Sequence, residues 1–363
     1  MKLLDRYIIS ELIGPFIFGI AAFSSILAGS TVLFGLVGFA FKYGAPWMEI
    51  VKIFFYKFPG IVAFTLPMSM LLSSILVVGR LNSDLEIVAL RAGGIHIFRI
   101  IAPVIAAGLL VSFGTIWFNE FVVPRSNRSA EAIDDRIQEY GEPSLKKNIN
   151  YTEFESNGLP KRLINAANIN TDNELIEVTI AQFDNGLLSQ VIRAQSGEWV
   201  PGVGWQFYNG VMHLFPKNDY DRVLALRFES ELIKIPIPPQ NLSLQTRDAD
   251  QLNALELYTK IQQNAVTGIS VAEDQVKFHL KFSVPFASFI FSILGSAVAL
   301  RPARSTSSMG LGLSLLIIIL YYILMSISMG IGLSGLLLPG IAAWIPNFIV
   351  GGLGLVFLRR RIF

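Results

Sequence analysis

The chain has no cysteine in 363 residues. That absence excludes disulfides and thiolate metal sites, so any exported part must hold by packing alone, and the redox compartment is unreadable. Histidine is nearly as scarce. His96, His213 and His279 stand apart with no second ligand at helical or turn spacing, so they read as interface or strand-surface residues, and no metal or other cofactor is expected. No Gly-Lys dipeptide occurs, which excludes a phosphate-cradling Walker A loop and hence a P-loop ATPase in this chain. Charge is sparse as well. Charged residues make up 15% of the chain against 52% hydrophobic, and the mean hydropathy is +0.53, the composition of a membrane protein. The net charge of +2 says little, and no nucleic-acid partner is expected.

What is present is a set of long uncharged runs. Met1 to Ser10 mixes Lys2, Asp5 and Arg6 with apolar residues, as an interfacial turn of helix does. The run from Leu12 to Phe41 is too long for a signal-peptide core and is read as a retained span, about Ile13 to Ala40. At about 1.5 Å per residue it exceeds the hydrocarbon core of roughly 30 Å, so it should tilt or continue beyond the bilayer. Lys42 to Lys57 reads as a basic loop, and a second span, Phe58 to Gly79, is expected to be interrupted by Pro59 and Pro67. Span three covers Ile100 to about Trp117, span four Phe282 to Leu300, and the charge-free stretch Ser305 to Leu358 holds two more. Six spans result, three on each side of a polar insertion. The segments are residues 1–122, 123–270 and 271–363.

The insertion opens with a helical stretch, Ser126 to Tyr140. Five alternating runs follow, Arg162 to Ile169, Glu174 to Phe183, Leu187 to Ala194, Gly204 to Phe215 and Val223 to Ile235, with turn signals at Asp184-Asn185-Gly186 and in WVPGVGW. Strands this closely spaced without helices between them favour a β-sandwich or jellyroll-like module. Pro236, Pro238 and Pro239 end it, and Leu252 to Asn264 reads as a helix. The fold class is therefore membrane α-helical, six transmembrane helices, with an inserted β-jellyroll-like domain.

Between spans two and three lies a charged island, RLNSDLEIVALRAGGIHIFR, Arg80 to Arg99. Ser83 with Glu86 three residues on has the form of a capping box, and Gly93-Gly94 supplies a stop, predicting a helix over Asp84 to Ala92. At 100° per residue, Leu85, Val88, Ala89 and Ala92 share the face toward bilayer or bundle, leaving Ile87 and Leu90 exposed among Asp84, Glu86 and Arg91. A greasy pair ringed by both signs of charge suits a protein docking surface; an ordinary capped connector fits the periodicity as well.

Counting Lys and Arg in the short segments gives ten on the side of the termini, Lys2, Arg6, Arg80, Arg91, Arg99, Arg301, Arg304 and Arg359 to Arg361, against Lys42, Lys52 and Lys57 on the other. That asymmetry places both termini and the island in the cytoplasm and the β domain across the membrane, the periplasm of a bacterial cell. The spans carry no ionisable group for a proton or ion relay, which argues against a secondary transporter, and no catalytic constellation is found. A charge-free path joined to a β module suits an amphipathic lipid. Lys42, Lys52 and Lys57 would meet anionic head groups or serve as membrane anchors, and Trp205 and Phe207, sharing a strand face, would line a greasy β interior or fill a closed core. A membrane-anchored periplasmic lipid-binding or sensor module without transport is the alternative.

Several segments carry a family resemblance: LDRYI at Leu4 to Ile8, SDLEIVALRAGG at Ser83 to Gly94, FNEFVVP at Phe118 to Pro124, KFHLKFSVPFA at Lys277 to Ala287, the stretch ALRPARSTSSMGLGLSLLIIILYYILMS, then AAWIPN and LRRR. In this order, around a β domain, the chain resembles the LptF/LptG (YjgP/YjgQ) permeases of lipopolysaccharide export. The resemblance implies the membrane half of an ATP-binding-cassette exporter, with two permease subunits of like or unlike kind and a dimeric LptB-like cytoplasmic ATPase. It makes SDLEIVALRAGG the coupling helix, with Glu86 matching the family's acidic contact. It also implies that spans one and five form a lateral gate, that Lys42 stands where the family carries basic residues for lipid phosphates, and that the β-jellyroll passes lipopolysaccharide or a related glycolipid to an LptC/LptA-like periplasmic bridge. ATP hydrolysis would belong to the partner, not to this chain.

Overall fold

In a computed structural model, which describes residues 3–141, 149–154, 159–169, 174–184, 186–201, 203–216, 223–235, 247–266, 271–300 and 307–362, the uncharged runs all fold as helix. The chain divides into two units, Met1–Glu131 with Ala272–Phe363, and Ala132–Val271. In the first unit, α1 (Leu3–Leu27) continues through a π-helical turn, Ala28–Leu33, into α2 (Phe34–Tyr43). After it come α3 (Trp47–Ser83), α4 (Glu86–Ala92), α5 (Ile97–Phe121) and the start of α6 (Val123–Gly141), which from Ala132 on belongs to the second unit. The second unit contributes strands β1 to β6 and α7 (Ala254–Val266), and the chain returns through α8 (Ala272–Ala299), α9 (Ser307–Leu333) and α10 (Pro339–Ile362). Six helical segments among the described residues are long and apolar enough to cross a membrane.

Helix ends differ from the expected ones in one direction: charged turns extend helices rather than ending them. The expected basic loop shrinks to residues 44–46, where Gly44 at φ 63° stops α2 and extended Pro46 turns the chain into α3. Lys52 and Lys57 thus ride on the first turns of α3, with Lys52 paired to Glu49 at 2.8 Å. Pro59 and Pro67 lie inside α3 without interrupting it. Likewise Lys277 and Lys281 belong to α8, and residues 3–10 are the first turns of α1. In a bilayer an uninterrupted helix is the cheapest way to satisfy backbone groups, which explains the bias.

Helices α3 and α8 are the most buried spans, α1 and α9 the least. The core between them is built from small residues. Ser69, Ser73, Ser74, Ser288, Ser292 and Ser296 are fully buried. Ser69 donates to the Thr65 carbonyl at 2.7 Å, Ser74 to that of Met70 at 2.6 Å and Ser296 to that of Ser292 at 2.7 Å, so most of these hydroxyls are spent within their own helix and act as compact spacers. The α5–α8 approach is closer still. A Cβ on Gly108 would lie 2.4 Å from Ser292 Oγ and 3.0 Å from the Ser288 carbonyl, and the Phe289 N–H donates across the seam to Ser112 Oγ at 3.0 Å.

In the second unit, β1 (Ile149–Phe154), β2 (Pro160–Ile169), β3 (Leu175–Asp184), β4 (Leu187–Val200), β5 (Gly204–Leu214) and β6 (Leu224–Ile233) form one antiparallel sheet in sequence order. β1 was not expected; the hairpin at WVPGVGW and the turn at Gly186 (φ 80°) were, with Asn185 and the prolines Pro236, Pro238 and Pro239 outside the described residues. The ladders skip one transverse line, Ala167, Glu177, Gln195, Asn209 and Glu229, with the register unchanged on either side. Glu177 and Asn209 hold φ 50° and 51° there. Along that line the buried face changes parity: Trp205 and Phe207 lie on the same side as Met212, and Leu175 on the same side as Val178 and Ile180. The kink keeps one face apolar along strands too long for a single pleat. Helix α7 opens on a reciprocal cap, the Glu256 N–H donating to Asn253 Oδ1 at 2.7 Å and the Asn253 N–H to Glu256 Oε2 at 2.9 Å.

Because the α5–α8 seam has no room for a methyl group, Gly108→Ala should destabilise the purified chain in detergent by about 1–3 kcal/mol, the usual cost of overpacking. Gly114→Ala on the same helix, whose added Cβ would meet nothing within 4 Å, should melt as the parent does. Equal melting of the two variants would show that the seam is not tight.

Candidate coupling face and lipid-binding interior

Helix α3 runs through Ser83, and the Ser83 hydroxyl returns to the Gly79 carbonyl at 2.9 Å instead of capping the next helix. The chain then turns at Leu85, which adopts the left-handed conformation at φ 59°, ψ 12° and precedes α4 with no side-chain cap. The expected Ser83–Glu86 capping box is therefore not formed, and α4 begins at Glu86 rather than Asp84. Gly94, at φ 82°, ends the turn after α4, with the Ile95 N–H donating to the Leu90 carbonyl at 3.0 Å.

The two groups of residues share faces as expected, but the faces are exchanged between bundle and surface. Ile87 is 3% exposed and packs in a cluster with Ile8, Leu81, Ile97 and Ile100, against which Leu90 is also packed. Outward lie Leu85 at 64% and Val88 at 54% exposure, with Ala89, Ala92, Asp84 and Arg91. Ile87 and Leu90 are thus what fastens the island to the bundle, and the exposed apolar pair is Leu85 and Val88.

Glu86 has a partner that the sequence reading missed. The Tyr7 phenol of α1 donates to Glu86, 3.1 and 3.0 Å from its two carboxylate oxygens, and Arg80 Nη2 donates to the same phenol oxygen at 3.2 Å. Arg80 Nη1 pairs with Glu11 at 2.8 Å, and Arg99 Nη1 with Asp5 at 2.5 Å. Leu4, Ile8 and Leu12, spaced four apart, seat α1 on the same apolar cluster. Four-residue spacing flanked by Asp5, Tyr7 and Glu11 was the signal available in the sequence.

At the other end of α1 and α2, Lys42 lies 4.8 Å from the centroid of the Tyr43 ring. Lys52 and Lys57 follow on α3. The three lysines thus flank the turn at residues 44–46.

In the β unit, Trp205 and Phe207 are 1% and 0% exposed, stacked with centroids 6.4 Å apart, and Trp199 meets Trp205 at 5.5 Å. Gly197 makes room for the Phe207 ring, since a Cβ there would lie 2.6 Å from it. Arg162 is buried near the same cluster. Its guanidinium donates to Glu153 at 3.3 Å and to the Lys234 carbonyl at 3.4 Å, which brings β2 to the chain leaving β6. Burial pulls its pKa below the ordinary arginine value and the Glu153 carboxylate opposes that shift. Among the described residues, no group of His, Asp and Glu is placed to hold a metal ion.

The family described as lipopolysaccharide export system permease LptF/LptG matches residues 6–360, nearly the whole chain. The chain belongs to this family. It is a lipopolysaccharide export permease, a transporter membrane subunit whose six apolar helices and family point to a multi-pass protein of the inner membrane. No curated protein matches it. The segments that carry the resemblance meet in space. Asp5, Tyr7 and Ile8 of LDRYI hold the island. Tyr321 of the YYILMS stretch donates to Asn347 of AAWIPN at 3.0 Å, and the Asn347 amide donates to the carbonyl of Ser283 in KFHLKFSVPFA at 2.6 Å. This buried relay ties α9, α10 and α8 together, as a polar group inside a bilayer must be satisfied by its neighbours.

Glu153→Leu should lower the stability of the β unit by about 3 kcal/mol, because it takes this counter-charge from the buried Arg162 guanidinium, whereas Arg162→Leu with Glu153→Leu should recover most of the loss; Glu153 itself also holds Lys161 at 2.8 Å. Hydrogen exchange of the β2 amides in the full chain reports both. A single variant as well protected as the double would contradict the pairing.

Proposed function

We propose that this permease is the membrane half of an ATP-binding-cassette exporter, paired with a second permease subunit and driven by a separate cytoplasmic ATPase dimer. The observation that carries this reading is the outward face of α4, where Leu85 and Val88 are exposed beside Asp84 and Arg91 while Ile87 and Leu90 anchor the helix from beneath. An apolar pair rimmed by opposite charges, on a short helix fixed at both ends, has the make-up of an interface core with its rim. Glu86, half-buried at the edge of this face, is the proposed acidic contact, and Arg91 its basic counterpart. The excess of Lys and Arg at this end supports a cytoplasmic island and a periplasmic β domain.

On this reading the lipid leaves the inner membrane past α1 and α9, and its acyl chains enter the β interior at Trp205 and Phe207 before reaching a periplasmic bridge. Continuous apolar cover is the physical requirement, since exposing acyl chains to water costs roughly 0.8 kcal/mol per methylene. Lys42, Lys52 and Lys57 are proposed to meet the anionic head group. The substrate is lipopolysaccharide or a related glycolipid.

A photo-crosslinking residue at Phe207 in the reconstituted complex tests the reading. The chain alone should hydrolyse no ATP, and with the ATPase the probe should capture lipopolysaccharide only during hydrolysis. Hydrolysis by the isolated chain, or turnover that never labels position 207 while labelling a probe at exposed Arg193, would overturn it.

A further inference from the structure

We infer that Tyr7 is the positioning residue that passes movement of the docking helix to α1, so that its hydroxyl decides whether ATP hydrolysis is converted into lipid release. The inference rests on the proposed seating of α4 on an ATPase and deepens it. Helix α4 is joined covalently to α3 through Asp84 and Leu85, and to α5 through the turn at Gly94. To α1 it is joined without a covalent link, by the apolar contact of the Ile87 cluster with Ile8 and by the Tyr7–Glu86 hydrogen bond. Apolar contact is non-directional and lets helices slide, whereas a hydroxyl held against both oxygens of one carboxylate fixes a distance.

Of the helices in contact with the island, α1 is the least buried. Its outer face leaves Ile13, Ile17, Phe18 and Ile26 exposed, while Gly19 and Ser24 seat its middle on Ser69 and Thr65 of α3, so α1 can respond by pivoting on that seat, whereas α3 and α5 are packed on α8. The geometry also aims the phenol. Arg80 reaches the Tyr7 oxygen at 3.2 Å while holding Glu11, one turn further along α1, at 2.8 Å. Arg80 therefore keeps the phenol proton pointed toward Glu86. Because the phenol is neutral, it does not cancel the Glu86 charge, and the carboxylate can hold α1 and still accept a cationic partner on its remaining lone pairs.

The test uses the full complex with its ATPase in proteoliposomes and reads three quantities: ATPase association, ATP hydrolysis, and lipid released per ATP. For Tyr7→Phe, association and hydrolysis should stay within about twofold of the parent while lipid per ATP falls by about tenfold, the size expected when one hydrogen bond to a charged group is lost. Placing 4-aminophenylalanine at position 7, which restores a donor on the same ring, should recover most of the ratio. An unchanged ratio in Tyr7→Phe would overturn the inference. A joint fall in association and hydrolysis with the ratio intact would overturn it too, since that is what a merely structural role predicts. A parent chain that binds no ATPase would instead defeat the proposed function on which the inference stands.

Discussion

Leu85 holds a left-handed backbone between two helices, and the arrangement of the island around α4 follows from it. For a residue with a Cβ that conformation costs about 1–2 kcal/mol. The cost is offset where the turn leads. It swings Ile87 into a pocket formed by Ile8, Leu81, Ile97 and Ile100, and brings Glu86 to the Tyr7 phenol. A full burial of one isoleucine is worth about 1.5–3 kcal/mol, enough to hold the strained turn without help from a cap. A straight continuation of α3 would have pointed Ile87 elsewhere and left Val88 against the bundle.

The membrane unit is mechanically uneven for reasons that lie in its side chains. Serines and glycines let α3, α5 and α8 approach until backbone and hydroxyl touch, and a packed seam of this kind resists displacement because it has no void to move into. The Tyr321–Asn347–Ser283 relay adds α9 and α10 to that body. Helix α1 is less buried, held by its apolar face, by Gly19 and Ser24 against Ser69 and Thr65 of α3, and by a charged cluster at one end, and it contains a π-helical turn at Ala28–Leu33. Such turns recur where helices serve function.

The spans were legible because runs without charge have few other folds, and most strands because alternation persists over several residues. Their ends were not, since Lys52, Lys57, Lys277 and Lys281 read as loop chemistry but lie on helices that simply continue. Strand β1 escaped because INYTEF is short and carries no run of alternation long enough to read. The island was legible as a short helix whose 100° wheel sets Val88, Ala89 and Ala92 apart from Ile87 and Leu90, but a wheel says which residues share a face and not which face meets the bundle, and that choice came out exchanged. The pairing of Tyr7 and Glu11 with Arg80 and Glu86 left only the spacing along α1 as a local sign, because the partners lie more than 60 residues apart in the chain and are joined by folding. In the β unit, the line through Glu177 and Asn209 inverts the pleat, which no local alternation announces.

The chain's lack of cysteine permits a direct measurement of whether α4 meets the proposed ATPase, and with which face. Single substitutions Leu85→Cys, Ile87→Cys, Val88→Cys and Leu90→Cys, placed in membranes, can be probed with a water-soluble maleimide before and after adding the ATPase. The account predicts ready labelling at positions 85 and 88, lost on adding the partner, and little labelling at 87 and 90 in either state. Ready labelling at 87 and 90 that the ATPase blocks, with 85 and 88 unaffected, would contradict it.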